Sequence, residues 1–380
     1  MGPLHGVKVL EIEAIGPVPW AGMMLSDMGA DVIRIDRPLA IDMGVERETR
    51  FKFSKRGRRS VIADLKTEQG QKAILGLVSK SDILLEGMRP GVMERLGLGP
   101  APCLAKNPAL IYGRMTGWGQ TGPLAQTVGH DINYIAMSGV LNSIGTSSAP
   151  VPPLNLVGDF GAGGMLLGCG VMAALLEARQ SGMGQVVDAA MVDGSLSLMA
   201  ATLGRYAAGE WKDERQSNLL DGGAHFYSTY ATLDGLFIAV GAIEPRFYQA
   251  LLKGLELTNS ELPAQQDRKN WPAMREKFAS IFLTRTRDQW CKIFDGTEAC
   301  VSPILSLDEL QAHPHHMERA SFVDVQGQMQ PAPSPRFSRT QSKIAGPPVA
   351  RGEGGSAALR DWGFELDDPQ LQGLSWNLEL

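Results

Sequence analysis

Hydrophobic positions in the first half of the chain follow two alternating patterns. Short β-branched runs read as strands: VKVLEIE (7–13), DVIRID (31–36), VIADL (61–65), SDILLEG (81–87) and ALIYGRMTG (109–117). Between them, 17–28 (closed by Gly29), 67–79 and a short stretch after Pro90 have helical spacing. Strands separated by helices predict a parallel sheet covered on both faces. Farther on, 128–141 and 162–179 read as buried helices, and 184–207 as a strand continuing into a long helix.

The pattern then changes. Residues 210–223 are polar, and YSTYATLDGLFIAVGAIE (227–244) reads as two strands around Asp234-Gly235, a hairpin signal. PRFYQALLKGL, WPAMREKFASIFL, TRDQWCKIF and LDELQA follow as amphipathic helices, so a second, smaller α+β unit is expected. Prolines, glycines and serines from 329 to 356 suggest a connecting arm, and ALRDWGFELDDPQLQGL a terminal helix. The uncharged run 160–176 falls short of the roughly 20 residues of a membrane span. Bracketed by Asp159 and Glu177, it reads as a buried helix, and no membrane association is expected.

Composition narrows the function classes. A net charge of −5 gives no electrostatic reason to expect nucleic acid as a partner. Four scattered cysteines without a CxxC pair suit a reducing cytosol, and MGPLHGVKVLEIE lacks the basic and apolar blocks of a secretory signal, so a cytoplasmic location is expected. The first strand-to-helix turn, EIEAIGPVPW, carries no GxGxxG, and no GxxxxGK[ST] occurs. A sheet of this type without those glycines gives no support for NAD or ATP.

Three segments carry candidate chemistry. ERETRFKFSKRGRR (46–59) holds seven Lys/Arg against two Glu. Such a run is either a solvated loop or an anion site whose guanidinium forks fit phosphate. Arg37, Arg89 and Arg95 favour the second reading, because each is read as following a strand C-terminus or opening a helix. In GHDINY (129–134), His130 stands where a glycine-marked turn enters a helix. It is either structural or a proton shuttle, and the Asp131 backbone N–H could stabilise an enolate oxygen. In LVGDFGAGG (156–164), Asp159 precedes a glycine-rich helix, where capping and catalysis are compatible. Glu244 could fix the tautomer of the histidine or simply end a strand. The tract HPHHMER, with His313, His315 and His316, has no carboxylate or cysteine at ligand spacing, so no metal is expected.

Together these segments resemble the family III CoA-transferase (CaiB/BaiF) superfamily, and within it the α-methylacyl-CoA racemases. The resemblance runs in order through LHGVKVLE, GADVIRIDRP, ADLK, EGMRPGVMERLGLGP, RMTGWGQTGP, GHDINY, PLNLVGDFGAGG, GQVVDAAMVDG, LDGGAHFYSTY, DGLFIAVGAIEPRFY, ACVSPIL, HPH and SPRFSRT, to about residue 340. It implies a Rossmann-like large α/β domain over 1–190 with a return at about 330–380, a linker helix at 191–224, a small α+β domain at 225–312 and a second linker at 313–329. Two chains would interlock as a homodimer. It further implies CoA contacts at Arg37, Ala63, Asp64, Leu65, Lys66, Gly87, Met88, Arg89, Arg95, Gly129, Asp131, Ile132, Asn133 and Tyr134. Catalysis would rest on His130 and Asp159, supported by Glu244, on a 2-methylacyl-CoA substrate with no cofactor beyond the CoA it carries. In transferases of the superfamily the aspartate is instead a nucleophile. Those enzymes carry a GGGGQ-like loop where this chain reads AVGAIEPRF, which favours the racemase.

Overall fold

The computed structural model describes residues 1–39, 47–258, 260 and 262–376. It forms two compact units, one comprising Met1–Ser138, Leu154–Leu198 and Glu318–Leu380, the other Gly139–Pro153 and Met199–Met317.

In chain order the elements begin with β1 (Lys8–Ile12), α1 (Pro17–Asp27), β2 (Asp31–Asp36), β3 (Arg58–Ala63), α2 (Glu68–Val78), β4 (Ile83–Glu86), α3 (Val92–Arg95), α4 (Pro100–Lys106), β5 (Ile111–Thr116) and α5 (Asp131–Met137). Next come α6 (Val140–Ser143), a π-helical segment (Leu156–Met165), α7 (Leu166–Ser181), β6 (Gln185–Ala190), α8 (Met191–Leu198) and α9 (Ala200–Ala207). Then follow β7 (Tyr227–Ala231), β8 (Phe237–Gly241), α10 (Pro245–Gly254), α11 (Trp271–Phe282), α12 (Arg287–Phe294) and β9 (Val301–Pro303). The rest are α13 (Pro314–Glu318), β10 (Phe322–Val325), β11 (Gln328–Pro331), α14 (Gly355–Asp361) and β12 (Leu374–Ser375).

The first unit is built on a seven-stranded sheet in the order β12-β3-β2-β1-β4-β5-β6. All its pairings are parallel except β12 with β3. Alternation along β1 explains why both faces are covered. Leu10 and Ile12 point into a core shared with Ile74 and Leu77 of α2 and Leu359 of α14, whereas Val9 points into one shared with Leu25 of α1 and Val171 of α7. Each fully buried aliphatic side chain there contributes about 1.5–3 kcal/mol. Local signals start the helices: Thr67 Oγ1 accepts the Gly70 N–H at 3.1 Å to cap α2.

The run expected as one buried helix is a π-helix that continues into α7. Leu167, Val171 and Leu175 pack beneath the sheet, while Met165, Leu166 and Leu176 on the other side are exposed. Only one face is therefore buried within the chain. Together, Leu156–Ser181 is long and apolar enough to cross a membrane by length and composition.

The second unit pairs β7, β8 and β9 antiparallel, with the hairpin turning at Asp234-Gly235. Its core is aromatic, formed by Phe226, Tyr248, Trp271, Phe278, Phe282 and Trp290. His225 is buried among them with Nε2 2.9 Å from the Tyr248 hydroxyl, and burial holds its pKa down to about 4. LDELQA (307–312) forms turns rather than a helix, with the Glu309 carboxylate accepting from Arg287 and the Ser306 N–H. The expected terminal helix stops after α14 at Gly363, which has a φ of 77°.

Candidate active site

Sheet order places the site. The chain leaves β1 toward β2 and β3 on one side, then returns to β4 on the other, so loops diverge at the carboxyl ends of β1 and β4 and open a crevice. Two cavities of the first unit lie there. The first, about 390 Å³, is walled by Gly16 and Pro17 after β1, Gly87 to Pro90 after β4 and Met115 to Trp118 at the end of β5. Gly129, His130, Tyr134 and Asp159 also line it. The second, about 440 Å³, is lined by Arg37 after β2, Ala63 to Lys66 from the end of β3 onward, and Val92 and Leu96 at the two ends of α3. Met88 lines both.

His130 precedes α5 in extended conformation, and Asn133 Oδ1 accepts its backbone N–H at 3.0 Å. The peptide is thus fixed while the side chain stays exposed. Asp159 sits in the π-helical segment, a winding often found at functional sites. The glycines around it allow close approach. A Cβ on Gly158 would meet Asp131 Oδ2 at 2.5 Å, and one on Gly164 would meet Pro17 O at 2.8 Å. Gly16, at a φ of 64°, turns β1 into α1, and a Cβ there would lie 3.1 Å from Asp159 Oδ2.

Asp159 is held by two neighbours. Its backbone N–H donates to Asp131 Oδ2 at 2.7 Å, and Asn155 Nδ2 donates to its Oδ2 at 3.0 Å. Burial pushes the Asp159 carboxyl above the usual range; the Asn155 hydrogen bond lowers it, the negative charge of Asp131 raises it and His130 lowers it. The group is therefore more easily protonated than a free aspartate. Asp131→Asn keeps an acceptor but removes the charge, so it is expected to lower the Asp159 pKa, whereas Asn155→Ala is expected to raise it. Where Asp159 acts as base, the acid limb of the rate profile should move to lower pH in the first variant and to higher pH in the second. Parallel shifts would contradict this account.

The sequence-predicted residues divide clearly. Gly87, Met88, Arg89, Gly129, His130, Tyr134 and Asp159 share the first cavity; Arg37, Ala63, Asp64, Leu65, Lys66 and again Met88 share the second. Arg95 is exposed on α3 and lines neither. Asp131, Ile132 and Asn133 also line neither: Asp131 is buried beneath Asp159, Ile132 is exposed, and Asn133 caps His130. Glu244 belongs to the second unit, at the N-cap of α10.

The anion-site reading of the basic stretch is corrected at three positions. Arg56 pairs with Asp27 at 2.6 Å, Arg58 with Glu11 at 3.0 Å and Arg59 with Asp31 at 2.6 Å. These arginines neutralise carboxylates in the sheet region and are not available to a ligand. Glu46 lies outside the described residues. Conversely, the sequence reading missed Asn155 and the Asp131 carboxylate, although Asn155 stands four residues before Asp159, a spacing that brings helical side chains together.

Comparison with known proteins identifies the family. The model of CoA-transferase family III matches residues 4–353. The chain belongs to that family. Alpha-methylacyl-CoA racemase of Mus musculus is 46% identical over 370 residues, covering 96% of this chain and 94% of its own. The Homo sapiens protein of the same name is 43% identical over 373 residues, with the same coverage. Among solved structures, a CAIB/BAIF family protein from Brucella suis superposes with a TM-score of 0.80 at 25% identity, covering 95% of this chain and 99% of that one. The α/β fold expected from strand and helix alternation is the family's fold.

Proposed function

We propose that the protein interconverts (2R)- and (2S)-2-methylacyl-CoA thioesters, with His130 and Asp159 as its two acid/base groups. The observation that carries this reading is that both groups, from separate elements, line one cavity at the switch point of the sheet. Two relatives named as racemases cover nearly the whole chain and support it. In this reading the thioester lies in the first cavity. The nucleotide end reaches the second, where Arg37 and Lys66 supply positive charge, and the pantetheine arm passes Met88.

A thioester α-proton is weakly acidic, so its removal needs an aimed base and a stabilised enolate. For one enantiomer, neutral His130 takes the proton and protonated Asp159 returns one to the opposite face; for the other, the roles reverse. The Asp131 backbone N–H, in the first turn of α5, is assigned to the enolate oxygen. No cofactor enters beyond the CoA of the substrate.

The transferase alternative uses Asp159 as an ionised nucleophile. The racemase needs the same ionised state in one of its two directions, so Asp159 alone does not separate the two readings. One experiment separates them: incubate a single enantiomer of 2-methylacyl-CoA with the protein in D₂O without an acyl acceptor. Deuterium at C2 with loss of optical purity is expected. No exchange, together with CoA transfer once a free acid is added, would overturn the racemase reading.

Two interlocked copies are proposed as the working form, in the cytoplasm and away from membranes. The exposed apolar side chains Met165, Leu166, Leu176 and Leu196 of the first unit support a covering second copy. A single-chain mass in analytical ultracentrifugation would exclude it.

A further inference from the structure

Arg37 stands at the mouth of the second cavity, yet its own guanidinium has only the Met88 sulfur, at 3.5 Å, as a hydrogen-bond partner among the described residues. Its backbone is held far more firmly. Glu13, just beyond β1 and 6% exposed, accepts the Arg37 N–H on Oε2 at 3.0 Å. The other oxygen of the same carboxylate accepts Arg351 Nη2 at 2.8 Å, and Arg351 Nη1 donates to the Arg37 carbonyl at 2.5 Å. One ion pair thus grips both the N–H and the C=O of a single residue.

Arg351 comes from the arm that precedes α14, and that arm is fastened independently of it. The Gly57 N–H donates to Gly346 O at 2.9 Å, Arg34 Nη2 to Val349 O at 3.2 Å, and the Gly352 N–H to Ser60 Oγ at 2.9 Å. The Ser60 N–H donates to Glu353 O at 2.9 Å. The arm is therefore mounted on β2 and β3 by other bonds, and the Arg351 side chain reaches across to the end of β1 and to Arg37. A guanidinium can make this double contact because its donors fork in a plane; an ammonium is a point charge.

We propose that Arg351, through Glu13, is a positioning residue that fixes Arg37 to receive the phosphorylated nucleotide end of CoA. This rests on the acyl-CoA reading above. Holding the Arg37 backbone in place before binding removes part of the ordering cost of anion capture. The side chain of Arg37 is left directed by a rigid peptide, with no carboxylate among the described residues pairing with it. Arg351 itself does not line the cavity.

The test is equilibrium binding of CoA, with no turnover, by calorimetry on the full chain. Arg351→Ala is expected to weaken CoA binding about tenfold. In turnover it should raise KM for the acyl-CoA by a similar factor, with kcat kept within about twofold. KM for the corresponding acyl-pantetheine thioester, which lacks the nucleotide, should stay the same. In an Arg37→Ala background the Arg351 substitution should have no further effect, since the groups act as one. Arg351→Lys should recover only part of the affinity, and serves as the second variant if alanine compromises folding. Unchanged CoA affinity in both variants would overturn the proposal, as would equal losses for the two thioesters. A wild-type chain that binds CoA but exchanges no C2 proton would sink the racemase reading alone, whereas one that binds no CoA would sink both.

Discussion

Replacing His130 or Asp159 by alanine is expected to slow racemisation by about 10²–10⁴-fold each, without unfolding the protein. His130 is exposed and Asp159 half-buried, so neither supplies a packed core side chain. The two losses should differ in kind from a simple fall in rate. With one base left, the enzyme can still remove and return a proton on that base's face. Each variant should therefore retain slow exchange of one enantiomer with D₂O, without inversion, and the favoured enantiomer should be opposite in the two. Proton NMR at C2, combined with polarimetry, reads both quantities. Near-normal racemisation by both variants would remove the two-base assignment, and identical enantiomer preference would show that one group serves both faces.

The largest effect on stability is expected at Arg58. This side chain and that of Glu11 are fully buried, and the guanidinium also donates to Ser54 O at 2.6 Å, Arg56 O at 2.9 Å and Pro19 O. α1 can lie over the pair only because residue 22 is glycine; a Cβ there would come within 2.0 Å of Glu11 Oε2. Arg58→Ala leaves a buried carboxylate without its counter-charge and should cost about 3–5 kcal/mol in urea unfolding. Adding Glu11→Leu should recover the portion due to the stranded charge, but not the portion due to the three carbonyls left without a donor. A loss below about 1 kcal/mol for Arg58→Ala would mean that the arginine behaves as a solvated surface cation after all.

That arginine also marks where sequence pattern stops being informative. Strands β1 to β5 were readable because each carries a short apolar run buried between the two layers, although β3 starts at Arg58, three residues before the run at 61–65, and ends at Ala63. Two cavity walls were readable because Arg37, Gly87 to Arg89 and His130 lie next to strand or helix ends. A cluster of cations has the same composition whether it meets a phosphate or a row of carboxylates. The partners of Arg56, Arg58 and Arg59 lie on α1, β1 and β2, and only the fold reveals them. Short strands escaped for another reason. β12 is two residues, β9 three with a proline, and the β10–β11 hairpin turns on Gln326-Gly327, both at positive φ. None is long enough to establish a period. The helix expected over 128–141 is interrupted at Gly139, whose φ of 81° no regular helix accepts. Asn155 and the Asp131 carboxylate were legible only in hindsight, as spacing without a reason to prefer it.

The antiparallel pairing of β12 with β3 joins Leu374 to Ala63, and α14 packs under the same edge. During synthesis β3 therefore leaves the ribosome long before the segments that cover it, and the second unit is made in between. Until then β3 presents an open, apolar edge to any other nascent strand. Closure of so long a loop is a late event in folding. Chains interrupted before β12 should accumulate as species with a native second unit and an adhesive first, prone to stick to one another and dependent on chaperones.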